Sequence, residues 1–317
     1  MSFAGHIWTL STNLRHRVAP WSAPEGAAWS TGLIDPQVGE VRLTGELHRT
    51  GPDPSRVLVV AIHGLGGSIA SHYMLRTAAA ATAAGLDCLR LGLRGADRQG
   101  DDFYHAGLTE DLSAALRSPE LAAYADVVVV GYSLGGHMTL RWALEPDDPR
   151  VRAVASVCAP LDLAAGCAAI DQPGRVLYRG HVMAGLKDIY SAIARRGRAV
   201  PTPWAIIRGI STIRAWDRHA VVPRHGFCSV DDYHGRVSVG PRLAGVQLPA
   251  LIVSAPSDPM IPAATIAPYV RDLPPRVEHR WTTGGGHVAF PRAAGVGPDL
   301  PQAPGLWGQV IAWLRGR

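Results

Sequence analysis

A mostly parallel, twisted α/β sheet with helices on both faces is the fold class this sequence predicts, and three observations predict it. Apolar runs rich in β-branched residues or Leu recur at Arg56–Ile62, Cys88–Leu93, Asp126–Val130, Val151–Val157, Leu251–Ser254 and Val277–Thr283. Runs without polar alternation suit strands buried on both faces of a parallel sheet. Segments with helical potential lie between them, at Ala70–Ala84, Thr109–Arg117, Gly135–Leu144 and Ile261–Asp272, and Trp307–Arg315 closes the chain. The 35 Gly and 25 Pro are spread between these runs as punctuation, which fits an ordered, doubly wound chain and not a disordered one.

Between the run ending near Ala159 and the run starting near Leu251 lie about ninety residues, far more than a crossover connection needs. This interval is an insertion. The sequence divides into a core of residues 1–160 and 246–317 and a helical cap insertion of residues 161–245, with helical periodicity over Leu161–Ile170, Val176–Arg195 and Trp204–Trp216. A segment emitted at the carboxyl edge of the sheet stands where a lid over a site would stand.

At 317 residues and 47% hydrophobic, the chain has enough apolar material for one large domain carrying such an insertion. The net charge of +5 comes from scattered Arg with Lys187 the single lysine, and no basic stripe interleaves with aromatics, which argues against nucleic acid as a partner. The densest basic stretch, Arg195-Arg196-Gly197-Arg198, reads as a solvated helix face; with the apolar Trp204–Ile207 beside it, peripheral membrane contact is the alternative. Cys88, Cys158, Cys167 and Cys228 follow no metal spacing and read as reduced thiols, so neither a metal nor another cofactor is expected. No signal peptide and no run of about 18 apolar residues is visible, which makes the cytoplasm the default location.

The most informative five residues are Gly131-Tyr132-Ser133-Leu134-Gly135, directly after the run Asp126–Val130 and before a helical segment. A sharp strand-to-helix turn strains its central residue and requires that the flanking residues lack side chains, as Gly131 and Gly135 do. The turn lifts the Ser133 hydroxyl clear of the sheet edge and points the Leu134 N–H into the same space. A Ser hydroxyl needs a base, and the base needs an orienting carboxylate. In the chain order Ser, acid, His, the acid is expected at Asp258, after Leu251–Val253 and before Pro259, and the base at His287, at the end of Gly284-Gly285-Gly286. His279 falls inside a predicted strand, and Asp101, Asp102, Asp231 and Asp232 read as solvated or capping carboxylates. A second oxyanion donor is expected from the Leu65 amide in His63-Gly64-Leu65-Gly66-Gly67, with His63 as a hydrogen-bonder that shapes the loop. That loop is no phosphate cradle: Ile69 stands where a third Gly belongs, and no Gly-Lys-Ser/Thr follows. His137, four residues past Ser133, reads as lining the pocket rim or lying on the surface.

With these residues assembled, the chain resembles the α/β-hydrolase superfamily, and more closely its YheT-like branch, which includes medium-chain fatty-acid ethyl ester synthase/esterases. The resemblance runs through Gly5-His6-Ile7-Trp8-Thr9-Leu10, Arg94-Gly95, Tyr104-His105-Ala106-Gly107, Glu110-Asp111-Leu112, Pro160-Leu161-Asp162-Leu163, Asp232-Tyr233 and Gly285-Gly286-His287-Val288-Ala289-Phe290. Ser257 stands where the branch often has a second acidic residue, and Gly92 replaces a usually polar residue. The resemblance implies hydrolysis of carboxylic esters with short or medium acyl chains, a small-molecule ester as partner, and an acyl-enzyme on Ser133. The competing readings are an acyltransferase, in which an alcohol resolves the acyl-enzyme, and a silent ligand-binding module on the same fold. Dehalogenases and epoxide hydrolases are disfavoured, because their elbows carry Asp.

Overall fold

The computed structural model describes residues 3–297 and 303–317, and at its centre lies one eight-stranded sheet. Strands β1 (Ala27–Asp35), β2 (Gly39–His48), β3 (Val57–Ile62), β4 (Asp87–Leu91), β5 (Asp126–Tyr132), β6 (Val151–Val157), β7 (Ala250–Ser254) and β8 (Val277–Trp281) are ordered β1-β2-β4-β3-β5-β6-β7-β8. β4, β3, β5, β6, β7 and β8 pair in parallel, while β1 and β2 form an antiparallel hairpin that joins the sheet antiparallel to β4.

The pleat explains why the central strands read as continuous apolar runs. Leu58, Val60 and Ile62 of β3 join Val127 and Val129 of β5 in one core, while Val59, Ala61, Val128 and Val130 belong to a second core on the other face. Helices cover both faces. α1 spans Phe3–Val18, α2 His72–Ala83, α3 Glu110–Leu116 and α4 Leu134–Trp142. The insertion carries α5 (Leu163–Ile170), α6 (Val176–Arg195), α7 (Trp204–Ile207), α8 (Ile213–Trp216), α9 (Val222–His225) and α10 (Val230–Val237); α11 (Ala263–Ile266) and α12 (Gly305–Arg315) follow it. Met74, Ala78 and Ala81 of α2 pack with Trp307, Val310 and Leu314 of α12 on one face, and Leu112 of α3 with Met138 and Trp142 of α4 on the other.

The six apolar runs are all strands, and the structure adds α1, β1 and β2. The β1–β2 hairpin escapes a search for continuous apolar runs because it is an edge with one wet face: Val41, Leu43, Gly45 and Leu47 are buried while Arg42, Thr44 and Glu46, which alternate with them, are partly or fully exposed. Two expected helices are broken up. Ile261–Asp272 yields only α11 and a 3₁₀ turn over Ala267–Tyr269, because Pro268 cannot supply the N–H a continuing helix needs. Trp204–Trp216 splits into α7 and α8 at Gly209, and the Thr212 hydroxyl restarts the chain by accepting from the Ala215 N–H at 3.2 Å. α8 then runs into a π-helical stretch over Asp217–Val221. Among the described residues no helix is long and apolar enough to cross a membrane.

Candidate active site

Ser133 has φ +53° and ψ −121°, a conformation L-residues rarely adopt, and the surroundings force it. A Cβ on Gly131 would stand 2.2 Å from the Gly135 carbonyl oxygen, and one on Gly135 would stand 2.4 Å from that of His63. The turn therefore closes only with glycine at both places. The Ser133 N–H donates to Val157 O at 2.8 Å, which pins the elbow to β6.

Asp258 and His287 come to Ser133 from the ends of β7 and β8. His287 Nε2 lies 2.9 Å from Ser133 Oγ, and His287 Nδ1 lies 2.8 Å from Asp258 Oδ2. The other Asp258 oxygen accepts the Met260 and Ile261 N–H groups at 2.8 and 2.9 Å, so the carboxylate is clamped by the turn that follows it. His287 and Asp258 are both buried, and Ser133 is half-buried at the cavity wall.

α1, which the sequence reading did not assign, holds these loops together. A Cβ on Gly5 would meet Ser257 O at 1.7 Å, so glycine lets α1 lie directly on the backbone beside Asp258. One turn later, Thr9 Oγ1 donates to Gly5 O at 2.9 Å and accepts the His287 N–H at 2.8 Å. Gly286 is equally tight against this contact: a Cβ there would stand 2.3 Å from both Gly5 O and Thr9 Oγ1. The Gly5-His6-Ile7-Trp8-Thr9 segment thus spans the Asp258 loop and the His287 loop. Val288, next to His287, sits at φ +47° despite its branched Cβ, a local strain that these contacts outweigh.

The loop after β3 lies against Ser133 from the other side. His63 is fully buried, and burial pushes its pKa down to about 4, so the ring is neutral. Leu93 N–H donates to His63 Nε2 at 3.0 Å, which leaves the proton on Nδ1 to donate to Gly64 O at 2.8 Å. The loop-shaping role expected of His63 is what these bonds show. Gly64 N–H donates to the Tyr73 hydroxyl at 3.1 Å, Gly66 N–H to the Tyr104 hydroxyl at 2.7 Å and Gly67 N–H to Gly64 O at 3.1 Å. Among the described residues, the Leu65 N–H of this loop and the Leu134 N–H at the start of α4 are left without a protein acceptor.

A cavity of about 950 Å³ opens over Ser133. Its walls come from α1 (Ile7, Leu10 and Leu14), the Leu65 loop and the insertion. α6 forms part of the roof and lies directly on the Leu65 loop, since a Cβ on Gly185 would stand 2.2 Å from Gly66 O. Farther along the wall, His234 Nε2 lies 2.8 Å from Asp217 Oδ2, and one ligating atom of each of these two and of Cys167 falls within 4.8 Å of the others. These three residues are far apart in sequence, so no spacing pattern reveals the group.

Two sequence readings need correction. His137 lines neither rim nor surface: it is fully buried, its ring nitrogens 2.7 and 3.1 Å from the Pro160 and Val237 carbonyl oxygens, because the insertion covers the side of α4 that the sequence leaves open. Asp102 is no solvated carboxylate. It is buried with Asp35 and Asp111 around Arg94, whose guanidinium reaches them at 2.9, 2.6 and 2.7 Å, and Arg224 of α9 bonds Asp102 at 2.5 Å and Asp35 at 3.3 Å. Burial pushes the Asp111 carboxyl up to about 6 even against Arg94. Asp101 pairs with Arg196 and Arg198, Asp231 with Arg214, and Asp232 accepts the Cys228 N–H, as peripheral carboxylates do. All four cysteines are free, and Cys88, Cys158 and Cys167 are buried.

A family model described as "Alpha/beta hydrolase family" matches residues 59–297. The chain is 32% identical over 264 residues to an Escherichia coli protein named "Putative esterase YheT", covering 81% of this chain and 76% of that one. To "Protein abhd-3.2" of Caenorhabditis elegans it is 23% identical, over 82% of this chain and 72% of that one. Among solved structures, the Pyrococcus furiosus esterase Pf2001 superposes with a TM-score of 0.51 at 14% identity, covering 82% of this chain and 84% of that one. A 2,6-dihydroxy-pseudo-oxynicotine hydrolase does so at 0.56 and 16%, covering 97% and 72%. At these identities the superpositions speak for the fold alone, whereas the family match and the first relative place the sequence itself: the chain belongs to the α/β-hydrolase family, in its YheT-like branch.

Proposed function

We propose that the protein is a serine hydrolase that cleaves carboxylic esters through an acyl-enzyme on Ser133. The observation that carries this reading is the continuous chain Ser133 Oγ, His287, Asp258, at 2.9 and 2.8 Å, with two undonated N–H groups beside it. The esterase name of the Escherichia coli relative supports it.

In this mechanism Ser133 Oγ attacks the ester carbonyl carbon as its proton passes to His287 Nε2. Asp258 holds the ring with Nδ1–H toward itself and stabilises the imidazolium. The carbonyl oxygen becomes an oxyanion facing the Leu65 and Leu134 N–H groups, each worth about 3–4 kcal/mol of barrier. Collapse of the tetrahedral adduct returns the proton from His287 to the departing alcohol and leaves the acyl group on Ser133. Water, deprotonated by His287, then releases the acid. The apolar residues Ile7, Leu10, Leu14 and Leu177 at the cavity suit a short or medium acyl chain.

A fluorophosphonate probe and a series of p-nitrophenyl esters from acetate to laurate test the proposal. The native protein is expected to be labelled, Ser133→Ala is not, and rates should peak at an intermediate chain length. Absence of labelling and of turnover on every ester would sink the reading. Added ethanol diverts product to the ethyl ester if alcohols compete with water for the acyl-enzyme.

A further inference from the structure

A second cavity, of about 480 Å³, lies against α1 and gathers positive charge with no acid among the described residues of its walls. Helical spacing separates it from the first: Ile7, Leu10 and Leu14 turn toward the Ser133 cavity, while Trp8, Ser11 and Arg15 turn toward this one, Ser11 touching both. Arg76 of α2 and the pair Phe290 and Arg292, from the loop after His287, close the other sides. The Arg76 guanidinium lies 3.5 Å from the Trp21 ring centroid and 4.7 Å from that of Trp307, and the Arg15 guanidinium lies 6.0 Å from Trp21.

Both rings lie against the Arg76 guanidinium. Among the described residues the side chains of Arg15, Arg76 and Arg292 make no ion pair and no hydrogen bond to protein. By contrast, the guanidiniums of Arg90, Arg94, Arg150 and Arg224, also buried or half-buried, each have a carboxylate partner. Burial and the two neighbouring guanidiniums hold the Arg76 pKa down to about 10. Three like charges around one half-enclosed space repel one another, and an anion placed among them would offset that repulsion.

We propose that this cavity is a binding site for a phosphate-class oxyanion, gripped by Arg15, Arg76 and Arg292. Arginine forks match phosphate oxygens in pairs, and the Ser11 hydroxyl adds a neutral donor. Trp8 and Phe290 supply an apolar wall for whatever group carries the phosphate. An ion held here would tie α1 to α2 and to the loop of His287, a loop that Gly5 and Thr9 also fasten to α1 at the candidate site.

The test uses the full chain at constant ionic strength, with inorganic phosphate as the free probe and phosphatidylcholine vesicles with or without phosphatidic acid as the lipid probe. Phosphate should raise the melting temperature and shift tryptophan fluorescence saturably, beyond a chloride control, if the site takes a small ligand. Co-sedimentation only with phosphatidic-acid vesicles identifies a lipid headgroup instead. In either case the double variant Arg15→Gln/Arg292→Gln, altered at two exposed positions, should bind the responding probe at least ten-fold more weakly. Should that variant not fold, Arg292→Gln alone, in a loop, must weaken binding at least three-fold. A response to neither probe, or variants that bind like the native chain, overturns the proposal.

Discussion

The carboxyl edge of the sheet and the insertion above it face each other across one cavity, and they hold their side chains by different means. At the edge, backbone touches backbone: Gly131 against Gly135, Gly135 against His63, Gly286 and Gly5 against neighbours that leave no room for a Cβ. The insertion is tied down mostly by side chains. Arg224 joins the Arg94 cluster, His137 sits between the Pro160 and Val237 carbonyls, and the Tyr233 hydroxyl accepts the Ala106 N–H at 3.1 Å. Backbone contacts fix atoms to fractions of an ångström, which the proposed roles of Ser133 and His287 require; side-chain ties permit the lining to change while the roof stays in place.

The sharpest way to break the comparison is at the edge itself. Ser133→Ala should lower kcat/KM for an activated ester by at least about 10⁴-fold while leaving the melting temperature nearly unchanged, since only a hydroxyl is lost. Survival of activity would mean that the edge is scaffold and the chemistry lies elsewhere. Arg94→Met attacks the insertion's anchor instead. It leaves three buried carboxylates around a single remaining guanidinium and should cost about 3–5 kcal/mol of stability by denaturant titration. A loss below 1 kcal/mol would show that α9 is not held through this cluster.

A smaller effect is expected at Thr9→Val, which keeps the shape but strands the buried His287 N–H. kcat should fall about ten-fold, in keeping with about 1–3 kcal/mol for an unsatisfied buried donor, with KM little altered and with Thr9→Ser restoring activity. The least costly change lies on the cavity wall. Leu177 is 71% exposed, so Leu177→Ser should leave acetate turnover intact and raise KM for an octanoyl ester about two- to four-fold, a difference below 1 kcal/mol. An equal loss on both esters would tie Leu177 to the chemistry and blur the distinction between edge and insertion.

The same division governs what the residues disclose before folding. The buried parallel strands and the elbow are local features, because strand burial and glycine spacing are written within ten residues of one another. Ser133, Asp258 and His287 could be gathered from chain order, and the structure brings them into hydrogen-bonding distance. β2 had a usable signal in the alternation Val41, Leu43, Gly45, Leu47, which a search for continuous runs passes over. Asp102 and His137 had none. Each is polar and owes part of its burial to the insertion, where one partner of each lies 122 or 100 residues away. Gly5 and Thr9 were visible as a motif, but the reason for their spacing is a distance to Ser257 and His287 that no local pattern encodes.

The Thr9–His287 bond joins residues 278 positions apart, and that separation orders events during synthesis. Thr9 leaves the ribosome well ahead of its partner, which emerges only after the sheet and the insertion have been made. At about 5–20 residues per second, α1 must wait roughly 15–60 s before the His287 loop exists for it to dock on. A nascent chain therefore carries the Ser133 turn with no His287 beside it, and the arrangement around Ser133 closes only after the His287 loop has emerged.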